Sequence, residues 1–482
     1  MQRCFRVLRP DFQTGAISIR IMVYSSLTNL AQVLDASLAS VPMEDRQRLV
    51  SNITTDSRNI RGNSLFVALK GEKFDGHHFV DSAIAGGALA AVVNHDQVPP
   101  RCPCLAVSDT LAAYQSLGRW WRTQQQAQII AVTGSVGKTT TKELIAAALG
   151  TQGSVLKTQA NYNNEIGVPK TLLQLEPHHD FGVVEMGMRG PGEIALLTQI
   201  ATPDIAVITN VGTAHIGRLG SEQAIANAKC ELLAELPAHG VAVLNYDNAR
   251  LMATAHGVWS GRTITYGLTG GDVQGQLLDS QTLMVDGVRL PLPLPGQHNA
   301  QNLLAAIAVM QALHLDWRTL ASGLTVELPS GRAQRIQLPN DILLLDETYN
   351  AGAESMTAAL RLLAETPGQR HLAVLGTMKE LGDQSVALHG RVGNVVQQLR
   401  LDALWTLADL EAAEALAHGA EGVPTQSFQD HTALAERLAA ELRPGDRVLF
   451  KASRSVELDR VVKQLVHMME STRREPTTAV PE

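Results

Sequence analysis

The sequence predicts an α/β fold of three domains built largely on parallel sheets. Three features carry that prediction. Continuous apolar runs alternate with helix-forming stretches along most of the 482 residues, as happens when helices cover both faces of a parallel sheet. One such run, "AQIIAVTG" (127–134), leads through Gly137-Lys138-Thr139 straight into a helix-forming stretch. A chain this long exceeds one ordinary core, so two to four domains are expected.

Composition narrows the class. A chain that is 45% hydrophobic and 18% charged is globular along its body rather than disordered. A net charge of -7 gives no basic field for nucleic acid or an anionic membrane surface, so neither partner is expected. No apolar run is long enough to span a bilayer. Cys4, Cys102, Cys104 and Cys230 lack paired metal-ligand spacing. Cys102-Pro-Cys104 reads as incidental rather than redox-active, which fits a reducing cytoplasm. Residues 1–21 carry arginines without an apolar signal core, so they read as a disordered extension, with Met22 a more natural start. Residues 473–482 read as a flexible tail.

The first domain, 22–110, holds a serine-capped helix in "MVYSSLTNLAQVL" and strands in "SLFVAL" (64–69) and "ALAAVVN" (88–94), with a helix near 79–87 between them. The second, 111–327, opens with a helix from Thr110. Strand-like runs at 127–134, 181–187, 203–210 and 240–247 follow, separated by helices at 138–149, 192–201 and 221–236. A β-rich patch at 262–294 precedes a helix at 295–313. The third, 328–472, alternates again: strands near 341–350, 371–378, 402–409 and 446–453, with helices at 355–365, 387–400 and 455–470 and one helical stretch between 409 and 446. That pattern is a second doubly wound, Rossmann-like unit.

The chemistry begins at Gly134-Ser135-Val136-Gly137-Lys138-Thr139-Thr140. Glycines let backbone N–H groups approach a phosphate, and the helix N-terminus adds positive potential. Lys138 can reach the β/γ-phosphates and Thr139 can place a hydroxyl on Mg²⁺. This makes the second domain P-loop ATPase-like, although the strict motif has glycine where this chain has Val132. Glu185 and His215 follow two successive strands. Alone, the first reads as a solvated strand-end glutamate and the second as structural. Together, beside a phosphate loop, they read as ligands. Lys229 projects within the apolar face made by Ile225, Ala228, Leu232, Leu233 and Leu236. Spacing alone favours snorkelling there.

These residues resemble the Mur ligases, ATP-dependent amide ligases of peptidoglycan synthesis. "TGSVGKT" (133–139) matches the family's shortened phosphate loop, and "NYNNEIGVP" (161–169) its asparagine-rich substrate-side motif. The resemblance implies Mg²⁺ held by Thr139, Glu185, His215 and a carbamylated Lys229, with Lys138, Lys229 and His215 catalytic. It implies ATP contacts from the loop, from Asn302 in "GQHNAQNLLAA", from Arg332 in "SGR" and from Asn350 in "DETYNAGAESM". It implies a UDP-binding N-terminal domain, with Asp56, Ser57, Arg58 and Asn164 on the UDP-substrate. "GTMKELGDQS" with His389 is similar to the members that add D-alanyl-D-alanine, and the D-N-P-R of the diaminopimelate-adding members is absent. The implied partners are UDP-MurNAc-tripeptide, D-Ala-D-Ala and ATP, in a cytoplasmic monomer. The rivals are the ligase that adds diaminopimelate or lysine, and a nucleotide-hydrolysing scaffold. Gly352-Ala353 and Ala452 depart from the family's N-P and glycine, and an alanine at 452 would be at odds with any left-handed backbone.

Overall fold

The computed structural model describes residues 24–471. The extension expected over 1–21, the start at Met22 and the tail expected over 473–482 lie outside the described residues. The chain divides into two compact units, one ending at Tyr114 and the other beginning at Gln115.

In the first unit five strands form one sheet, in the order Ser37–Ala39, Cys104–Val107, Ala88–Asn94, Ser64–Val67, Asn52–Thr54. Only the first pair is antiparallel. The central strands are buried almost throughout, which is why they read as unbroken apolar runs rather than alternating ones. The helix Leu27–Val33 starts where the Ser26 hydroxyl accepts from the Asn29 N–H at 3.2 Å. Cys102 and Cys104 are buried free thiols, pushed up to about 11 and about 12 by desolvation.

The second unit contains two sheets. Nine strands form the first, in the order Val288–Pro291, Thr282–Val285, Val273–Asp279, Thr263–Gly267, Val241–Asn245, Ile205–Ile208, Gln128–Thr133, Phe181–Glu185, Val155–Lys157. Strands Val273–Asp279 through Val155–Lys157 run parallel, and the last two hairpin strands are antiparallel. In the hairpin Leu283, Val285 and Leu290 are buried while Arg289 is exposed, the period of a sheet with one wet face. Helix Gln297–Ala312 is buried on nearly every side and packs on helix Lys138–Gly150, directly behind the Gly-Lys-Thr turn.

The second sheet has six strands, in the order Gln334–Leu338, Ile342–Glu347, Asp446–Lys451, Arg370–Gly376, Ala403–Leu407, Thr425–Phe428. All pairs but the first are parallel. The helical stretch expected between 409 and 446 resolves into helix Leu410–Gly419, strand Thr425–Phe428 and helix His431–Glu441. That strand is an edge with no buried residue, so it carries no apolar signal. Helix Ala249–Val258 was not expected, because it buries only Leu251 and Ala255.

Asp446 opens the middle strand with its side chain fully buried. It accepts from Arg370 Nε and Nη2 at 2.9 and 2.6 Å and from the Arg443 N–H at 2.7 Å. Asp446→Ala leaves a largely buried guanidinium without its carboxylate. The variant should lose about 3 kcal/mol of unfolding free energy, read from the denaturant midpoint. An unchanged midpoint would show that the pair does not hold the sheet.

Candidate active site

The phosphate loop grows out of a buried strand. Val132 is fully buried and pairs with Glu185 and Val207 on its two sides. The position that lacks glycine is therefore strand interior, not loop. Gly134 has no room for a side chain, since a Cβ would stand 1.9 Å from Thr209 Oγ1. Asn210 anchors the loop by accepting from the Ser135 N–H (3.0 Å, carbonyl) and the Val136 N–H (2.9 Å, side chain). The helix then starts at Lys138, behind a left-handed Gly137, with no side chain capping it. Its first-turn N–H groups face the loop, as an anion site requires. Lys138 Nζ folds back to donate to the Gly134 carbonyl at 2.9 Å. Burial lowers its pKa, with Glu185 opposing.

Glu185 is buried at the tip of its strand and held on both oxygens. Thr139 Oγ1 donates to Oε2 at 2.9 Å and Asn163 Nδ2 to Oε1 at 2.8 Å. The Glu185 N–H donates to Thr158 Oγ1 at 3.0 Å. Of the asparagines in 161–164, it is thus Asn163 that touches this carboxylate. Asn164 accepts from the N–H groups of Ile166 and Gly167, at 3.3 and 2.9 Å, and so starts the helix Gly167–Leu172.

Lys229 does not snorkel. The helix Glu222–Ala234 buries its apolar face against the sheet, and that packing carries Lys229 inward until it is 1% exposed. Among the described residues its Nζ makes no hydrogen bond or ion pair. Desolvation drives its pKa well below the ordinary value, and Lys138 pushes the same way. Both effects disfavour the charged ammonium form. Burial lowers the pKa of His215, with Glu380 opposing and the neighbouring Lys138 and Lys229 side chains adding to the lowering. Its Nδ1 pairs with Glu380, in the loop that follows strand Arg370–Gly376 of the second sheet.

The remaining predicted site residues of the second unit line the same cavity, of about 640 Å³. Its lining includes residues 134–140, Asn164, Glu185, His215, Lys229, Asn302, Arg332 and Asn350. Asn302 is tied into the helix packing behind the loop, accepting from Thr141 Oγ1 at 3.1 Å and donating to Asn299 at 3.3 Å. The Arg332 guanidinium lies 4.0 Å over the Tyr349 ring, and its buried Nε has no partner among the described residues. Asn350 Oδ1 accepts from the Ala351 N–H, and the Asn350 carbonyl accepts from the buried Lys451 at 3.0 Å. His389 does not line the cavity. Fully buried, it accepts from the Met378 N–H at 2.9 Å and donates Nδ1–H to the Ser385 carbonyl at 2.7 Å, fixing the loop before it. The departures from the family pattern are accommodated. Gly352 is extended (φ -156°) and Ser355 Oγ accepts its N–H at 3.0 Å. Ala452 is fully buried and is not among the left-handed residues.

Asp56, Ser57 and Arg58 belong to the first unit. Asp56 caps the turn Ser57–Asn59 and binds the Arg58 guanidinium at 2.9 Å on each oxygen, leaving the arginine largely exposed. Sequence reasoning missed Asn163, Asn210, Glu354 and Glu380. The asparagine-rich stretch and the "KELG" run marked the first and last regions without saying which side chain turns inward.

With the geometry in hand, comparison with known proteins is specific. The Mur ligase middle domain matches residues 132–310, the Mur ligase glutamate ligase domain residues 331–454, and the Mur ligase family catalytic domain residues 49–112. The UDP-N-acetylmuramoyl-tripeptide–D-alanyl-D-alanine ligase of Synechocystis sp. is 57% identical over 443 residues, covering 92% of this chain and 97% of that protein. The enzyme of the same name from Escherichia coli is 37% identical, covering 92% and 99%. A crystal structure of MurF from Acinetobacter baumannii superposes with a TM-score of 0.84 at 31% identity, covering 93% of this chain and 100% of that one. MurF from Thermotoga maritima, solved in complex with ADP, gives 0.77 at 30% identity, covering 87% and 98%. A phosphate loop, a buried strand-tip carboxylate and a buried lysine in one cavity therefore sit on a chain that belongs to the Mur ligase family.

Proposed function

We propose that this chain is an ATP-dependent amide ligase that joins D-Ala-D-Ala to UDP-MurNAc-tripeptide, giving UDP-MurNAc-pentapeptide for peptidoglycan synthesis. Relatives named for that reaction, 57% and 37% identical across nearly their whole length, support it. The observation that carries it is the cavity itself, where the phosphate loop, Glu185 and Lys229 meet Arg332 and Glu380 from the segments flanking strands of the second sheet. A scaffold that only hydrolyses ATP has no use for a buried lysine there. The proposal includes a cytoplasmic monomer with domains at 22–110, 111–327 and 328–472.

A carboxylate is a poor electrophile because its charge repels an incoming amine. Transfer of the γ-phosphoryl group of ATP to the tripeptide carboxylate gives an acyl phosphate. The dipeptide amine attacks its carbonyl carbon, and phosphate leaves from the tetrahedral intermediate. Positioning and charge neutralisation supply most of the rate. Residues 134–140 cradle the phosphates, and Lys138 swings from the Gly134 carbonyl to the transferring group. Asn302, Arg332 and Asn350 hold the nucleotide. Asp56, Ser57 and Arg58 contact the UDP-substrate from the first unit, and Asn164 is a separate candidate contact to it in the second.

Mg²⁺ fits the donor set on its chemistry, because the Glu185 carboxylate and the Thr139 hydroxyl stand 2.9 Å apart as hard oxygen ligands. Thr139, Glu185, His215 and carbamylated Lys229 would hold it, and when bound it would neutralise charge on phosphate and acyl oxygens. Lys229 is suited to the modification. In its uncharged form the amine adds to the carbon of CO₂ and releases one proton, giving a carbamate with a carboxylate end. Lys138 repels a cation at that position and attracts the carbamate.

Phosphate release from ATP should require UDP-MurNAc-tripeptide and D-Ala-D-Ala together. Release indifferent to the dipeptide would contradict ligation. Lys229→Ala should lose about 10²-fold or more in kcat and recover part of it with short carboxylic acids that replace the carbamate. Full activity without them would remove Lys229 from the mechanism.

A further inference from the structure

We propose that Glu380 is the positioning residue of His215: its carboxylate accepts a hydrogen bond from Nδ1–H and so presents Nε2 to the cavity. The inference rests on the function proposed above and extends it to the way the second sheet completes the site.

Four observations converge on the pair. Glu380 Oε2 contacts His215 Nδ1 while Oε1 forms an ion pair with Arg218 Nη2 at 3.1 Å. Both residues hold left-handed backbones, with φ 67° at His215 and 64° at Glu380, although neither is glycine. Such strain persists where the surroundings over-determine it, and it gathers at functional positions. Backbone meets backbone beside them. The Gly217 N–H donates to the Glu380 carbonyl at 3.0 Å, and a Cβ on Gly217 would stand 2.4 Å from the Gly382 nitrogen. Finally, His215 and Glu380 both line the cavity, and among the described residues His215 Nε2 makes no hydrogen bond.

The chemistry follows from donor counting. A neutral imidazole donates from one nitrogen and accepts at the other. An ionised carboxylate only accepts, so Nδ1 carries the hydrogen and Nε2 keeps its lone pair. A histidine tied this way is fixed in tautomer and ring orientation and is a better ligand or acceptor. The interface does not need Glu380 merely to close. Glu354 already accepts from the Thr213 N–H and hydroxyl, at 2.9 and 3.1 Å. Glu380 therefore makes the second sheet an orienting part of the site.

The test uses full-length protein labelled with ¹⁵N-histidine, with His215 assigned by its loss in His215→Gln. Two-bond proton–nitrogen spectra should show His215 as the Nδ1–H tautomer. In Glu380→Gln the amide oxygen is claimed by Arg218, which can only donate, so the NH₂ faces Nδ1 and the Nε2–H tautomer should appear. That variant should lose about tenfold or more in kcat with little change in KM for ATP and an unchanged melting temperature. Glu380→Asp should retain the Nδ1–H tautomer and recover part of kcat. Glu354→Gln should loosen the same interface without changing the tautomer. The proposal is overturned if Glu380→Gln keeps both the Nδ1–H tautomer and wild-type kcat, or if Glu354→Gln shifts the tautomer equally. Should Glu380→Gln not fold, Glu380→Asp decides alone, a lost Nδ1–H tautomer refuting the idea. The spectra need no turnover, so they read separately from any failure of the ligase reading.

Discussion

A lysine amine held out of water sets the terms for this cavity. Lys229 is buried because the helix that carries it must pack Ile225, Leu232 and Leu233 against the sheet. Burying an ammonium ion without a partner is costly, so burial pushes the pKa of the group well down. Desolvation and the neighbouring Lys138 both work against a cation at this position, with Cys230 opposing. The same low dielectric that lowers its pKa strengthens whatever negative charge replaces it.

The surrounding groups are built to a matching standard. Glu185 meets its two side-chain donors at normal hydrogen-bond lengths, so its carboxylate is aimed before any ligand arrives. Lys138 rests on a loop carbonyl rather than on a carboxylate, a weak tie for a side chain that must move to phosphate. The second sheet contributes from the ends of its parallel strands, where open α/β sheets place ligands. Arg332 is held flat on Tyr349 rather than by an ion pair, so its charge stays available. Lys451 secures the turn after Ile342–Glu347 by donating to the Asn350 carbonyl.

Much of this was legible in the chain. Buried parallel strands announce themselves as continuous apolar runs, so both large sheets were readable, as was the loop between strand 127–134 and its helix. What stayed hidden obeys a different physics. The edge strand Thr425–Phe428 and the helix Ala249–Val258 bury too little to leave a pattern. Asn163 and Asn164 are adjacent, and only the backbone path decides which one faces Glu185. Val132 looked like a flaw in the motif until the strand was seen to continue through it. The face of Lys229 was read correctly from 3.6-residue periodicity, yet spacing favoured a snorkelling side chain where packing turns it inward to line the cavity. The pairing of His215 with Glu380 joins segments 165 residues apart and left no local trace.

The central claim is that Lys229 works as a carbamate, and the direct measurement is ¹³C NMR of the protein equilibrated with ¹³C-bicarbonate under turnover conditions. The account predicts one carbamate resonance in the wild type that is absent from Lys229→Ala. A fully active preparation with no Lys229-dependent resonance would contradict it.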